Sequence, residues 1–345
     1  MAYVSIEEQY LKDIGNNIRN KNNEVVKYKP REMADAIRGL SAISTEALEN
    51  LYLSDGIVNF TYTHIPVIGK FAFAKSEKLR VVDTAGVVEL KDSAFSECAL
   101  DTVNLPNLTK MGTGVFSYGS YINNINIPKI TTLPDSTFSG FQGSSLTLPS
   151  ITTIEGRGVF SSAALNTINM PNLTTINGQN TFANCKNLTN INLPELTTIN
   201  GKNTFWQNTG FTTLKLPKLK KILDAGATFA ECSAKTIILP TLTQISYATN
   251  SGFATLMFSG CDNLEALVLA SPQKVSVSYA TSDKMFTSLN GKFDVFYNRP
   301  SDSKAFIYVP KALLSSYQND TSWTKYYKAS VFRAIEDYPE IGALL

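Results

Sequence analysis

The chain repeats itself. Between about Thr167 and Lys221 the segments TINMPNLTTINGQNTFANCKNL, NINLPELTTINGKNTFWQNTGF and TLKLPKLKKILDAGATFAEC carry one pattern: L-x-x-I-x-L-P-x-L-T-x-I, a turn, then a lone Phe before a small residue. Self-similarity at a period of roughly 20–25 residues marks a stacked array, because units this short bury their apolar edge only against a neighbour. Phe73, Phe95, Phe116, Phe138, Phe160, Phe182, Phe205, Phe229 and Phe258 follow one another at steps of 22, 21, 22, 22, 22, 23, 24 and 29 residues. Pro106, Pro128, Pro149, Pro171, Pro194, Pro217 and Pro240 keep the same step, so two independent markers share one period.

Each unit reads as two extended pieces and a corner. In the central copy Ile191 and Leu193 alternate with Asn190 and Asn192, the period-two pattern of a half-buried strand. Pro194 has no N–H to donate and ends the ladder. Leu196 and Ile199 flank Thr197 and Thr198 in a second short piece. Asn200-Gly201 is a turn dipeptide that tolerates positive φ, and Phe205 returns to the centre. The fold class that follows is a mainly β repeat solenoid with short parallel strands.

The pattern from about Ile65 to Ala270 resembles the BspA-type leucine-rich repeat, found on bacterial surfaces and in phage-encoded proteins. The resemblance implies a binding scaffold. A second resemblance covers roughly residues 11–40: IGNNIRNKNNEVVKYKPREMADAIRGL is similar to a module at the N-termini of Firmicute phage and prophage tail proteins. It implies docking on other tail or baseplate proteins, or oligomerisation, through residues 1–40.

Both ends depart from the period. Ile6, Tyr10, Ile14 and Ile18 line one face of a first helix that Ser5 and Glu8 would cap. Pro30 opens a second helix with Met33, Ile37 and Leu40 on one face. These form a small helical N-terminal module over residues 1–42, with Ile14, Ile18, Met33 and Ile37 as its attachment residues. A hairpin is expected around Asp55-Gly56. The repeats run over 43–300 with degenerate terminal copies, and an aromatic C-terminal cap occupies 301–345, where a strand, a helix from near Lys311, and Phe306, Tyr308, Tyr317, Trp323 and Tyr326 seal the stack.

Composition narrows the partners. With 43% hydrophobic and 17% charged residues and a formal net charge of +2, the chain lacks the basic stripe of a nucleic-acid binder. No apolar run reaches the ~18 residues of a membrane span. The opening MAYVSIEEQYLKDIG has neither the basic start nor the apolar core of a secretory signal, which favours assembly in the cytoplasm and release by lysis.

Candidate chemistry is sparse. Cys98, Cys185, Cys232 and Cys261 each follow a marker Phe by three residues and read as small buried side chains rather than metal ligands. His64 is the sole histidine, so no histidine-rich site is available. Glu89, Asp92, Glu155, Glu195 and Glu231 show no repeated pairing of the kind a glycosidase needs. No cofactor motif is present. The surface is better endowed: outward strand positions, among them Asn169, Asn190 and Asn192, form a flat uncharged ladder. Trp206 alone breaks the rule of a small residue after the Phe: facing outward it would be a sugar-stacking or interface anchor, facing inward it would fill a local gap, and Tyr118, Tyr121, Phe141 and Phe211 would extend an aromatic strip along the turn edge.

The expectation is a non-enzymatic recognition protein, foremost one of a phage or prophage tail virion. Its solenoid would contact a host-surface glycan or protein, and it would be a homo-oligomer with neither nucleic acid nor membrane insertion. The alternative is a bacterial cell-surface leucine-rich-repeat adhesin, and a glycan hydrolase with cryptic carboxylates comes third.

Overall fold

The computed structural model describes residues 59–61, 63, 65–119, 121–247, 257–278, 296, 305–324 and 327–345. The N-terminal helices with Ile14, Ile18, Met33 and Ile37, the Asp55-Gly56 hairpin, His64 and Tyr326 lie outside them. What is described is a parallel solenoid. The first extended pieces pair with those of the neighbouring units in matched register, Thr167 opposite Asn190, Ile168 opposite Ile191 and Asn169 opposite Asn192, except between Asn124–Asn126 and Ser145–Thr147 and between Asn190–Asn192 and Thr213–Lys215. The second pieces pair likewise from Thr132–Leu133 to Ser276–Ser278, Thr175 beside Thr198 and Ile176 beside Ile199, and separately from Val67–Ile68 to Lys110–Met111. Equal repeat lengths put like beside like, which is why the inward column is Val82, Val103, Leu146, Ile168, Leu214 and Ile237, all buried.

The turn carrying the Phe makes a third ladder. Residues two before and two after each marker adopt left-handed backbone, for example Asn180 at φ 56° and Asn184 at φ 60° around Phe182. With that alternation the N–H groups of Asn180, Phe182 and Asn184 all point along the stack, and donate to Lys202, Thr204 and Trp206 carbonyls at 2.9, 2.9 and 2.7 Å. Left-handed backbone costs a non-glycine residue roughly 1–2 kcal/mol, and it recurs at Lys75, Glu97, Tyr118, Ser162, Gln207 and Glu231. The recurring inter-layer bonds offset that cost by pairing backbone groups that burial would otherwise leave unsatisfied.

Inside the three ladders the nine phenylalanines form one column. Successive rings from Phe73 to Phe258 lie 5.2–5.9 Å apart and 2–16° from parallel. The column is closed by perpendicular rings. Phe60 meets Phe73 edge-on at 76°, and Phe296 meets Phe258 at 84°. Each buried ring contributes about 1.5–3 kcal/mol by burial and about 0.5–1.5 more by its aromatic contact.

The glycine after the second strand serves a different purpose from the one its sequence implies. Gly201 does not take positive φ. Its hydrogen instead meets the layer below: a Cβ there would lie 2.0 Å from the Gly178 carbonyl oxygen, and one on Gly178 would lie 1.8 Å from that of Gly156. Close approach between layers, rather than turn geometry, demands the residue.

Tyr317 and Trp323 close the stack, whereas other aromatic residues of the C-terminal part do not. The helix Lys311–Gln318 and the short turn Thr321–Thr324 bury Tyr317 and Trp323. Among the described residues Ser276–Ser278 is the last strand of the second ladder, and these two side chains take the exposed groups of Val275 just before it. The Val275 N–H donates to the Tyr317 hydroxyl at 2.8 Å, and the Trp323 indole donates to the Val275 carbonyl at 2.9 Å. Desolvation pushes the Tyr317 phenol up to about 12, against the lowering effect of the Val275 bond. Phe306 and Tyr308 do not seal the end. They lie on the strand Phe306–Val309, in register with Ala266–Val268, and point away from the main core.

Candidate functional site

The exposed first-strand positions form the polar ladder that the repeat predicts, and its side chains bond along the stack. Asn126 donates to Asn104 at 2.7 Å, Asn104 to Asp83 at 2.6 Å, and Asn192 to Asn169 at 2.7 Å. Asn190 and Asn192 are exposed and Asn169 is half-buried. On the second face the leading Thr of each pair caps the layer below: Thr152, Thr174 and Thr197 donate to the carbonyls of Thr131, Thr152 and Thr174 at 3.3, 3.0 and 3.1 Å. These bonds fix the bonded side chains against the layer below.

The aromatic strip is not continuous. Tyr118 and Tyr121 are exposed, at 64% and 52%, with the Tyr118 ring lying over Gly140, where a Cβ would come within 2.5 Å of it. Phe141 and Phe211, expected in the same strip, are core residues at 0% and 2% exposure. Their placement follows from counting back from the proline. Phe211 stands six residues before Pro217, where other repeats have Leu100, Ile122, Leu165 and Leu188. In the repeat before Pro149 that position is Gly143, and the Phe141 ring fills the space a side chain there would occupy, 2.5 Å from the position of an added Cβ.

Trp206 sits between its two expected alternatives. Its column neighbours Ala183 and Ala230 are buried, whereas the indole is half-buried and reaches the next layer, donating to Glu231 Oε1 at 3.3 Å. The same carboxylate accepts from Gln207 at 3.4 Å. The indole is therefore held in place with part of its face open to solvent.

The other carboxylates are engaged with neighbours. Glu195 pairs with Lys218 at 2.6 Å and Glu89 with Lys91 at 3.0 Å. Glu155 accepts from Asn177 at 2.8 Å, and Asp92 from the Thr113 N–H at 2.9 Å. The four cysteines are buried free thiols. Burial pushes Cys98 and Cys185 up to about 12 and Cys232 to about 11, which keeps them as protonated thiols. Their position also explains the residue type. Cys185 donates to the carbonyl of Phe160, one layer earlier, at 2.9 Å, and Asn208 at the equivalent place donates to Phe182 at 2.8 Å.

Parallel ladders, a proline-ended first strand and an internal aromatic column define a leucine-rich-repeat solenoid that presents a polar, rigid exterior. The chain belongs to the family described as BspA type leucine rich repeat region, whose model matches residues 41–162 and 131–265. Among solved structures it is similar to the pneumococcal vaccine antigen PcpA, at 17% identity and a TM-score of 0.41, over 80% of this chain and 65% of that one. A leucine-rich repeat protein from Bacteroides ovatus ATCC 8483 is 16% identical over 65% of this chain and 84% of its own, with a TM-score of 0.31. A leucine rich cell surface protein from Faecalibacterium prausnitzii A2-165 is 17% identical over 69% and 63%, with a TM-score of 0.35. Likeness at that level carries nothing about activity. No curated protein matches the chain.

Proposed function

We propose that the chain is a non-enzymatic recognition protein displayed at a bacterial surface, its solenoid contacting a glycan or protein of a host. The observation that carries this reading is the exterior. Rows of uncharged amides and hydroxyls are fixed by bonds between layers, so the surface is organised before a partner arrives and little ordering entropy is lost on contact. Membership of the BspA-type family supports the same reading. Weak contacts repeated along a rigid face sum through avidity.

The tail-protein reading keeps one specific support, the PREMADAIRGL stretch within residues 11–40, which lies before the family match begins at residue 41. On that reading residues 1–42 dock on tail proteins or oligomerise through Ile14, Ile18, Met33 and Ile37. Fluorescently labelled chain separates the two. Saturable binding to epithelial cells, competed by unlabelled chain, supports surface display. Saturable binding confined to bacterial cells supports the tail role. Binding to neither contradicts recognition altogether.

A further inference from the structure

The first-strand ladder is interrupted twice, and the interruptions match. Among the described residues no ladder bond joins Asn124–Asn126 to Ser145–Thr147, or Asn190–Asn192 to Thr213–Lys215. The strand before each gap is Asn-Ile-Asn, a triplet that no other described strand of this ladder carries. Its central residue, Ile125 or Ile191, is only partly buried, whereas Val103, Leu146, Ile168 and Leu214 are covered. Each gap also follows one of the two additional phenylalanines. Phe141 stands edge-on to Phe138 at 5.7 Å and 88°, and Phe211 edge-on to Phe205 at 6.3 Å and 74°. Phe211 is larger than the Leu, Ile or Ala that holds this corner in other repeats, and in the earlier repeat the Phe141 ring takes the corner that Gly143 leaves empty; a close-packed interior answers a larger side chain with backbone shifts. Both rings stand in the connection that crosses a gap, Phe141 between Asn126 and Ser145 and Phe211 between Asn192 and Thr213.

Each gap has an apolar floor, Ile125 or Ile191, and exposed polar walls. Asn124 and Asn126 face Ser145 and Thr147, while Asn190 and Asn192 face Thr213 and Lys215. The amide rows stop here. Asn126 and Asn192 each donate backward, to Asn104 and Asn169, which leaves Oδ1 on the gap side. Backbone N–H and C=O groups that interior layers use on one another line the same space. The cation at the rim, Lys215 Nζ, is bonded to the Leu344 and Leu345 carbonyls at 2.8 Å each. The second gap lies three layers beyond the first, about 14 Å at the usual strand spacing.

We propose that these gaps are a matched pair of subsites for one neutral oligosaccharide. The inference rests on the recognition reading above and names its ligand class. An array of uncharged donors and acceptors around a small apolar floor suits sugar hydroxyls and a C–H face. An acidic ligand would require a guanidinium or free ammonium partner. A single chain of a few sugar units bridges both subsites and gains by avidity.

Calorimetric titration with maltohexaose, xylohexaose and chitohexaose, each separately, tests it. At least one binds, and Asn124→Ala with Asn126→Ala lowers its affinity by about tenfold or more through loss of bivalency. Adding Asn190→Ala and Asn192→Ala abolishes binding while the melting temperature stays near that of the parent. Phe211→Leu restores the corner residue of the preceding repeat. It slows amide exchange at Thr213–Lys215 and reduces binding to the one-site level. Failure of all three sugars to bind, or unchanged binding by the fourfold variant, overturns the subsites. If labelled chain still binds cells saturably in that case, recognition stands and only its ligand class falls.

Discussion

The first-strand face differs between its two ends. From Val81–Asp83 to Thr213–Lys215 its outward positions are Asp83, Asn104, Asn126, Thr147, Asn169, Asn192 and Lys215. In the strands Thr236–Ile238, Ala266–Val268 and Phe306–Val309 the same column turns apolar, with Ile238, Val268 and Tyr308 buried. The reason is a second small core. The C-terminal segment folds back over these strands, placing Ile335 and Ile341 against Ile238, Ala266, Val268 and Tyr308. The Tyr338 ring meets Tyr308 edge-on at 5.2 Å, and Arg333 lies 4.1 Å over Phe306. One backbone therefore supports two surfaces. Where the outward residues are amides the face is open; where they are aliphatic it carries its own cover.

The internal column is common to both ends, so removing part of it should erase the distinction. Phe160→Ala is expected to cost about 3–5 kcal/mol, by lost transfer energy and a cavity between stacked neighbours. Urea unfolding measures this. A loss below about 1 kcal/mol means that the column does not bind the layers together.

Matched substitutions sharpen the contrast. Val268→Asp buries an unpaired carboxylate under the C-terminal segment and should cost about 3 kcal/mol or more. Asn169→Asp, at the equivalent column position on the open half, should change stability by about 0.5 kcal/mol or less. Equal effects at the two sites would dissolve the comparison.

Acid should loosen the covered end before the open one. Asp320 suffers desolvation, but the bonds it accepts from Lys274 and from Ser322 outweigh that and hold its carboxyl below the ordinary value of 3.8. A depressed folded value means the contribution is fully present above 3.8 and is lost as pH falls through the lower folded-state value. Trp323, buried three residues on, reports it. Its fluorescence should shift to the red below about pH 4, ahead of the loss of strand signal in far-ultraviolet dichroism.

A modest effect is expected on the open edge. Trp206→Ala removes a half-buried ring and one bond to Glu231, worth about 1 kcal/mol, and weakens binding of labelled chain to cells. Undiminished cell binding removes the indole from the contact surface.

Much of this was legible in the sequence because a stacked fold makes every layer solve the same packing problem. The marker phenylalanines, the strand-ending prolines and the Asn and Thr rows each recur at a fixed step, and each lies where that step puts it. What the step does not encode was missed. Phe141 and Phe211 look like turn residues when counted forward from the preceding Phe, and like corner residues when counted back from the following Pro, which is the count the packing obeys. Asn200-Gly201 reads as a turn with backbone freedom, although contact with the layer below governs Gly201. The return of residues 335–345 onto the strand face is non-local. Its one trace in the repeat is the replacement of outward Asn or Thr by Ile238 and Val268, a break in alternation that marks a covered face.

The turn forms a third hydrogen-bonded ladder that pins the aromatic column. Hydrogen–deuterium exchange of a peptide covering residues 178–184 tests this most directly. Amides of Asn180, Phe182 and Asn184 should be protected as strongly as those of the neighbouring strand Thr175–Ile176, because each donates to the next layer. Exchange at the rate of an open loop, with the strand still protected, would contradict it.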